Sequence, residues 1–208
     1  MDAHDGKPTG ITHQDSHGRR SAGVRLMLMM LGLLGFTQVA AQTPPTFSPS
    51  ANPVSDVVRE MLARQATNLT RSAELMPPEK YGFSPTPAQM TFGQLIVHII
   101  QTNTALCSAA SGLPAAMLPD QFKQLSATDT KEALTLKLRQ SFDDCKDKLS
   151  KIQDASLAAE ALVFGQRTGM SSGAALVTIT ADWADHYSTA ATYLRLNGIL
   201  PPTAQPPR

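Results

Sequence analysis

Residues 179–202, ITADWADHYSTAATYLRLNGILPP, read as one amphipathic helix whose apolar side carries two groups foreign to an ordinary core. At about 100° per residue, Leu176, Trp183, Ala190 and Leu194 fall within roughly 60° of Ile179 on a helical wheel, and so do Asp182, His186 and Tyr193. Ser188, Thr192 and Arg195 fall on the opposite, solvent side. Gly198 supplies a C-cap, and Pro201-Pro202 ends the element. A histidine on an apolar helix face is most simply a hydrogen-bonded core residue. A histidine and a carboxylate at i and i+4 are also a chelating pair for one divalent metal. A third ligand would then have to come from another helix.

Working outward, three more amphipathic segments precede this one. Asn52 with Pro53 is an N-cap and first-turn signal, and Val54, Val58, Met61, Leu62 and Leu69 form a stripe up to Pro77-Pro78. A second helix is expected from Thr91 to Ser111, closed by Gly112; its apolar arc runs through Leu95, Ile96, Ile99 and Ile100. His98 lies about 60° outside that arc, where it faces either the mouth of a cleft or water. Residues 113–127 are irregular or hold one short helical turn. Asp129 with Glu132 reads as a capping box for a third helix, on which Leu134, Leu138, Cys145, Leu149 and Ile152 share a face. FGQRTGMSSG (164–173) reads as a loop before the fourth helix, and no strand alternation of useful length is present. The expected fold is all-α: a four-helix bundle over residues 53–202 with long connections, followed by a tail at 203–208.

The N-terminal region has a different character. An apolar run from Leu26 to Phe36 follows Arg19, Arg20 and Arg25, and precedes small residues at Val39 and Ala41. This pattern predicts a secretory signal peptide over residues 1–41, cleaved after Ala41, and a periplasmic or secreted product; an uncleaved N-terminal anchor is the alternative. Residues 42–52 are then a Pro- and Ser-rich leader. Beyond Ala41, basic and acidic side chains balance and no basic cluster occurs, which argues against nucleic acid as a partner. No second span of membrane length follows. His98 and His186 are the only imidazoles left after Ala41.

Two groups of motifs carry a resemblance. PPEKYGFSPTPAQMTFGQLIVHI (77–99) resembles the Tyr-x-Phe-x-Pro-x-Pro lead and Thr-Phe-Gly-Gln-Leu-x-x-His-Ile helix start of the DinB-like (damage-inducible) family. FGQRTG (164–169), followed by DHYSTAATYLRLNGILPP (185–202), is similar to that family's last loop and last helix. The similarity runs from Val54 to Pro202. It implies a four-helix bundle with a metal site near one end, ligated by a histidine early in the second helix and by a His-x-x-x-His pair on the fourth. Carried over by position, the ligands are His98, Asp182 and His186, with Asp182 standing where the family has its first paired histidine. Two imidazoles and a carboxylate suit Zn, Ni, Mn or Fe without distinguishing them.

Relatives implied by the resemblance include thiol-dependent transferases and isomerases and metal-dependent hydrolases. An exported protein lacks a cytosolic thiol pool, so hydrolysis of an unknown small molecule by metal-activated water fits the compartment better. A bundle without metal, acting as a binding or interaction module, is the rival reading. Asp185 projects away from Asp182 and His186 and reads as a solvated charge. Cys107 and Cys145 both point inward, as a disulfide between two helices or as two separate buried thiols. Tyr81, Phe83, Trp183 and Tyr187 read as packing residues. Apolar bundle faces are compatible with a homodimer.

Overall fold

The computed structural model describes residues 48–206 except Leu118 and Lys123. The proposed signal segment therefore lies outside the described residues, as does most of the leader. The described residues hold five α-helices: α1 (Pro53–Leu75), α2 (Phe92–Ser111), a four-residue α3 (Pro119–Phe122), α4 (Lys131–Leu149) and α5 (Ser172–Leu196). The long four form the all-α bundle. Among the described residues no helix is long and apolar enough to cross a membrane.

Side-chain pairings fix the directions of the helices. Asn103 meets Ser141 and Cys107 meets Cys145, so α2 and α4 run parallel. Asn103 meets Trp183 while Met90, just before α2, meets Tyr193, so α2 and α5 run antiparallel. Arg59 reaches Leu149 while Glu74 lies by Lys131 and Arg139, so α1 opposes α4. The α2 and α4 helices cannot be joined by a tight turn when parallel, which is why residues 112–130 form a long crossover. Each of α1 and α2 packs on both α4 and α5.

The start of α2 shows how the sequence specifies its own geometry. Thr91 Oγ1 accepts from Gln94 N–H, and Gln94 Oε1 accepts from Thr91 N–H at 2.7 Å, a complete capping box. Phe92 is fully buried, edge-on to Tyr81. At Gly93 a Cβ would stand 2.6 Å from the Ala127 carbonyl oxygen, so only glycine lets the crossover lie this close. At the far end Gly112 adopts φ +68° and donates to Ser108 O, closing the helix.

Three local expectations are corrected. The N-cap of α4 is Thr130, whose hydroxyl accepts from Ala133 N–H, while Asp129 pairs with Lys137 at 2.9 Å. Residues 160–171 form an antiparallel hairpin, β1 (Glu160–Val163) and β2 (Gln166–Ser171), rather than a loop. Its two-residue turn, Phe164 (φ 51°) and Gly165 (φ 76°), has the positive φ values that suit a twisted hairpin. Asn52 precedes α1 but makes no side-chain cap. Instead Asp154 caps α1 from across the fold, its carboxylate accepting from Val54 and Ser55 N–H (both 2.9 Å) and from the Ser55 hydroxyl at 2.6 Å. Asn52 Oδ1 in turn accepts from Asp154 N–H. Reciprocally, Arg59 of α1 donates to the carbonyls of Leu149 and Ile152 at the end of α4, where a cation is favourable.

The interior is largely apolar, with polar side chains such as Asn103 set into it. Asn103, fully buried, accepts from Trp183 Nε1–H at 2.6 Å and donates to Ser141 Oγ at 3.0 Å. Cys107 and Cys145 form a disulfide with a Cα separation of 5.3 Å, joining α2 to α4.

Two stability predictions follow from these ties. The bridge closes 38 residues, for which chain entropy gives about 4 kcal/mol. Reduction should lower the melting temperature by roughly 10 °C, and thiol labelling of unfolded, unreduced protein should find no free thiol. The Asp154 carboxyl is held below its ordinary value by the Ser55 hydroxyl and then by the helix N–H groups, against a smaller opposing effect of burial. Its contribution is therefore complete above the unfolded value near about pH 4 and is lost as pH falls through the lower folded value. Asp154→Ala should lower the melting temperature at neutral pH by roughly 2–4 °C. A gap from wild type that stayed constant into strong acid would contradict the assignment.

Candidate metal centre

His98 comes from the second turn of α2, and Asp182 and His186 from the middle of α5. The antiparallel seam between these helices brings the three together. One ligand atom from each lies within 4.8 Å of the other two. The imidazoles of His98 and His186 meet edge to face, ring centres 4.9 Å apart and planes at 82°. His98 therefore turns toward α5, settling the ambiguity left by its position at the edge of the α2 apolar arc. His186 is 6% exposed, and the Asp182 side chain is about a fifth exposed.

The polar atoms here are not satisfied as core atoms normally are. His186 Nδ1 and Asp182 Oδ2 stand 3.2 Å apart, but their angles do not make a hydrogen bond, and neither atom has another partner among the described residues. Buried polar atoms are almost always paired. Two such atoms, each with only the other beside it at 3.2 Å, are an arrangement that a bound cation would satisfy. The residues present thus fit a divalent ion in number, chemistry and convergence.

Charge reinforces this. Burial pushes the Asp182 carboxyl up, but neighbouring His186, the Thr102 hydroxyl and His98 together outweigh it and hold the group below its ordinary value. The carboxylate form is thereby favoured. His98 is shifted down, first by burial and then by His186, against a smaller opposing pull from Asp182. Downward shift favours the neutral imidazole, the form that offers a lone pair.

Thr102 was not singled out from sequence. It follows His98 by one helical turn on α2 and contributes to Asp182 on the facing helix. The i+4 spacing from His98 was the available signal, but threonines at that spacing are too common to point to a site. Asp185, expected in solvent, is exposed and outside the cluster. Of the aromatics read as packing residues, Tyr81 and Trp183 are buried, whereas Tyr187 pins the C-terminal segment through hydrogen bonds with Thr203.

An open cleft of about 540 Å³ lies beside His98, bounded by α2, residues 87–90 and the crossover at Leu125 and Ala127. Asp182 and His186 do not line it; only His98 belongs to both.

Comparison with solved structures returns the same architecture. A DinB-like protein from Bacillus cereus superposes with a TM-score of 0.57 at 16% identity, covering 71% of this chain and 95% of that one. A member of the DinB family from Exiguobacterium sibiricum gives 0.52 at 18% identity, covering 72% and 95%. A variant of the mycothiol-dependent maleylpyruvate isomerase gives 0.51 at 16% identity, covering 64% and 59%. At these identities the likeness is one of fold. No curated protein matches the sequence. The family match is to the sequence itself: the DinB superfamily pattern fits residues 61–190, more than half the chain. That span includes all of α2 and α4 and the part of α5 that carries Asp182 and His186, and on it this chain belongs to the DinB superfamily.

Proposed function

We propose that this protein is an exported metal-dependent hydrolase that holds one divalent ion through His98, Asp182 and His186. The observation carrying this reading is the convergence of one ligand atom each from His98, Asp182 and His186, with Asp182 Oδ2 and His186 Nδ1 buried 3.2 Å apart. When bound, the ion supplies a Lewis acid that polarises a substrate oxygen and activates water. The protein's own part is to hold two imidazoles and one carboxylate in register. Three protein ligands leave coordination positions open, as catalytic rather than structural sites do.

Export is supported by the N-terminal pattern and by the disulfide between α2 and α4, a bond characteristic of oxidising compartments. The structural neighbour named as a mycothiol-dependent isomerase suggests thiol chemistry as a second reading. That reading ranks lower because its cosubstrate class belongs to a reducing cytosol. A metal-free binding module is the remaining rival; in it Asp182 and His186 serve only as an ion pair within α5.

Calorimetric titration of metal-free protein with Zn²⁺, Ni²⁺ and Mn²⁺ tests the proposal. One ion per chain should bind at micromolar concentration or below. His98→Ala and His186→Ala should each abolish stoichiometric binding with little change in melting temperature. Asp182→His should keep or strengthen Zn²⁺ binding. If none of the three ions binds wild type at micromolar concentration, the metal site is wrong.

A further inference from the structure

We propose that the cleft beside His98 is a ligand subsite for an uncharged, carbonyl-bearing compound, an ester or amide. The inference deepens the hydrolase reading and rests on it for which group reacts. Binding in the cleft is a separate matter and can be tested without metal.

The wall chemistry carries the argument. Although 17% of the chain is charged, no Asp, Glu, Lys or Arg lines this cleft among the described residues. Its polar side chains are His98 and three carboxamides, Gln89, Gln94 and Gln101, set among apolar groups such as Val97 and Leu125. An ionised ligand held against this wall would give up part of its water and meet no counter-charge among the described residues. A neutral ligand avoids that cost.

The hydrogen-bonding sense of the wall is also partly fixed. Gln94 Oε1 accepts from Thr91 N–H at 2.7 Å in the capping box. A backbone N–H can only donate, so this carboxamide cannot flip, and its NH₂ remains as a donor. Gln101 makes no side-chain hydrogen bond among the described residues and is free to turn toward a ligand. Gln94, His98 and Gln101 are spaced by four and three residues, so they form one stripe along α2. Carboxamide groups therefore sit about one turn, ~5.4 Å of axis, to either side of the imidazole. A compound lying along α2 with two carbonyl oxygens would meet a donor at each end and pass over His98 between them.

The probes are N-acetyl-alanine methyl ester and N-acetyl-alanine, alike in shape but neutral and anionic respectively. Each is titrated into metal-free, full-length protein while the side-chain amide signals of the glutamines are followed by NMR. The ester should shift the Gln94 and Gln101 signals and bind at least about tenfold more tightly than the acid, as expected when one ligand must desolvate a charge. Gln94→Glu keeps the acceptor for Thr91 N–H, hence the cap, but replaces the donor by a carboxylate. It should weaken the ester by about three- to tenfold, the scale of one hydrogen bond. Gln101→Leu, which touches no cap, should weaken it to a similar degree. The proposal is overturned if the ester shifts neither signal, if the acid binds as tightly, or if both variants bind the ester like wild type. Because no metal is present, a failed metal titration and a failed cleft titration are separate results.

Discussion

The hydrogen bond from Trp183 to Asn103 holds the geometry on which the rest depends. Both residues are fully buried, and the bond joins the two helices that carry the candidate ligands. Apolar packing resists small slips of one helix along another through shape alone. A directional bond in a dry core adds to that, because a slip leaves an indole N–H and an amide oxygen unpaired, at a cost of about 1–3 kcal/mol. Trp183 directly follows Asp182 in α5, and Asn103 lies a little over one turn beyond His98 in α2. The register that satisfies the core bond is therefore the register that brings His98 to Asp182 and His186. Asn103 extends the same control to α4 through Ser141, and the disulfide one turn further on fixes it covalently.

Much of this was legible in the residues. Helical periodicity and Gly/Pro punctuation located the four long helices, because each has a continuous apolar stripe and its own end signals. The capping box at Thr91 and Gln94, though local chemistry, emerged only in the structure, and the box expected at Asp129 and Glu132 gave way to a cap by Thr130. The pairing of Asp182 with His186 also followed from i, i+4 spacing. What could not be read depended on partners remote in sequence. The cap of α1 is supplied by Asp154, roughly a hundred residues away, while the nearest candidate, Asn52, bonds elsewhere. The hairpin was missed because only Ala161 of its first strand is fully buried, so its pattern has too little apolar alternation to register. The disulfide stayed open because inward-facing faces do not reveal relative height along two helices.

A carboxylate at position 182, where the resemblance implies a histidine, would change the charge of the proposed centre as well as one of its donors. Three neutral imidazoles carry no net charge, whereas two imidazoles and a carboxylate carry one negative charge. The environment of Asp182 favours that charge despite burial. A carboxylate oxygen is also a harder donor than an imidazole nitrogen, which moves the set toward ions such as Mn²⁺ and Fe²⁺ without excluding Zn²⁺. In the proposed role, the remaining charge on a bound divalent ion and its ligands is lower by one than in a three-imidazole centre. A metal so neutralised attracts anionic ligands less strongly.

That lower charge agrees with the chemistry of the adjoining cleft. A strongly positive centre would be matched by a wall able to stabilise anions, with arginine or lysine near the metal's open side. Here the wall is carboxamide and aliphatic, and the one residue shared by cleft and cluster is His98, shifted toward its neutral form. Two features read from different elements, a carboxylate on α5 and an uncharged stripe on α2, thus favour the same kind of visitor. Such agreement between features on two different helices points to one kind of ligand more strongly than either feature alone.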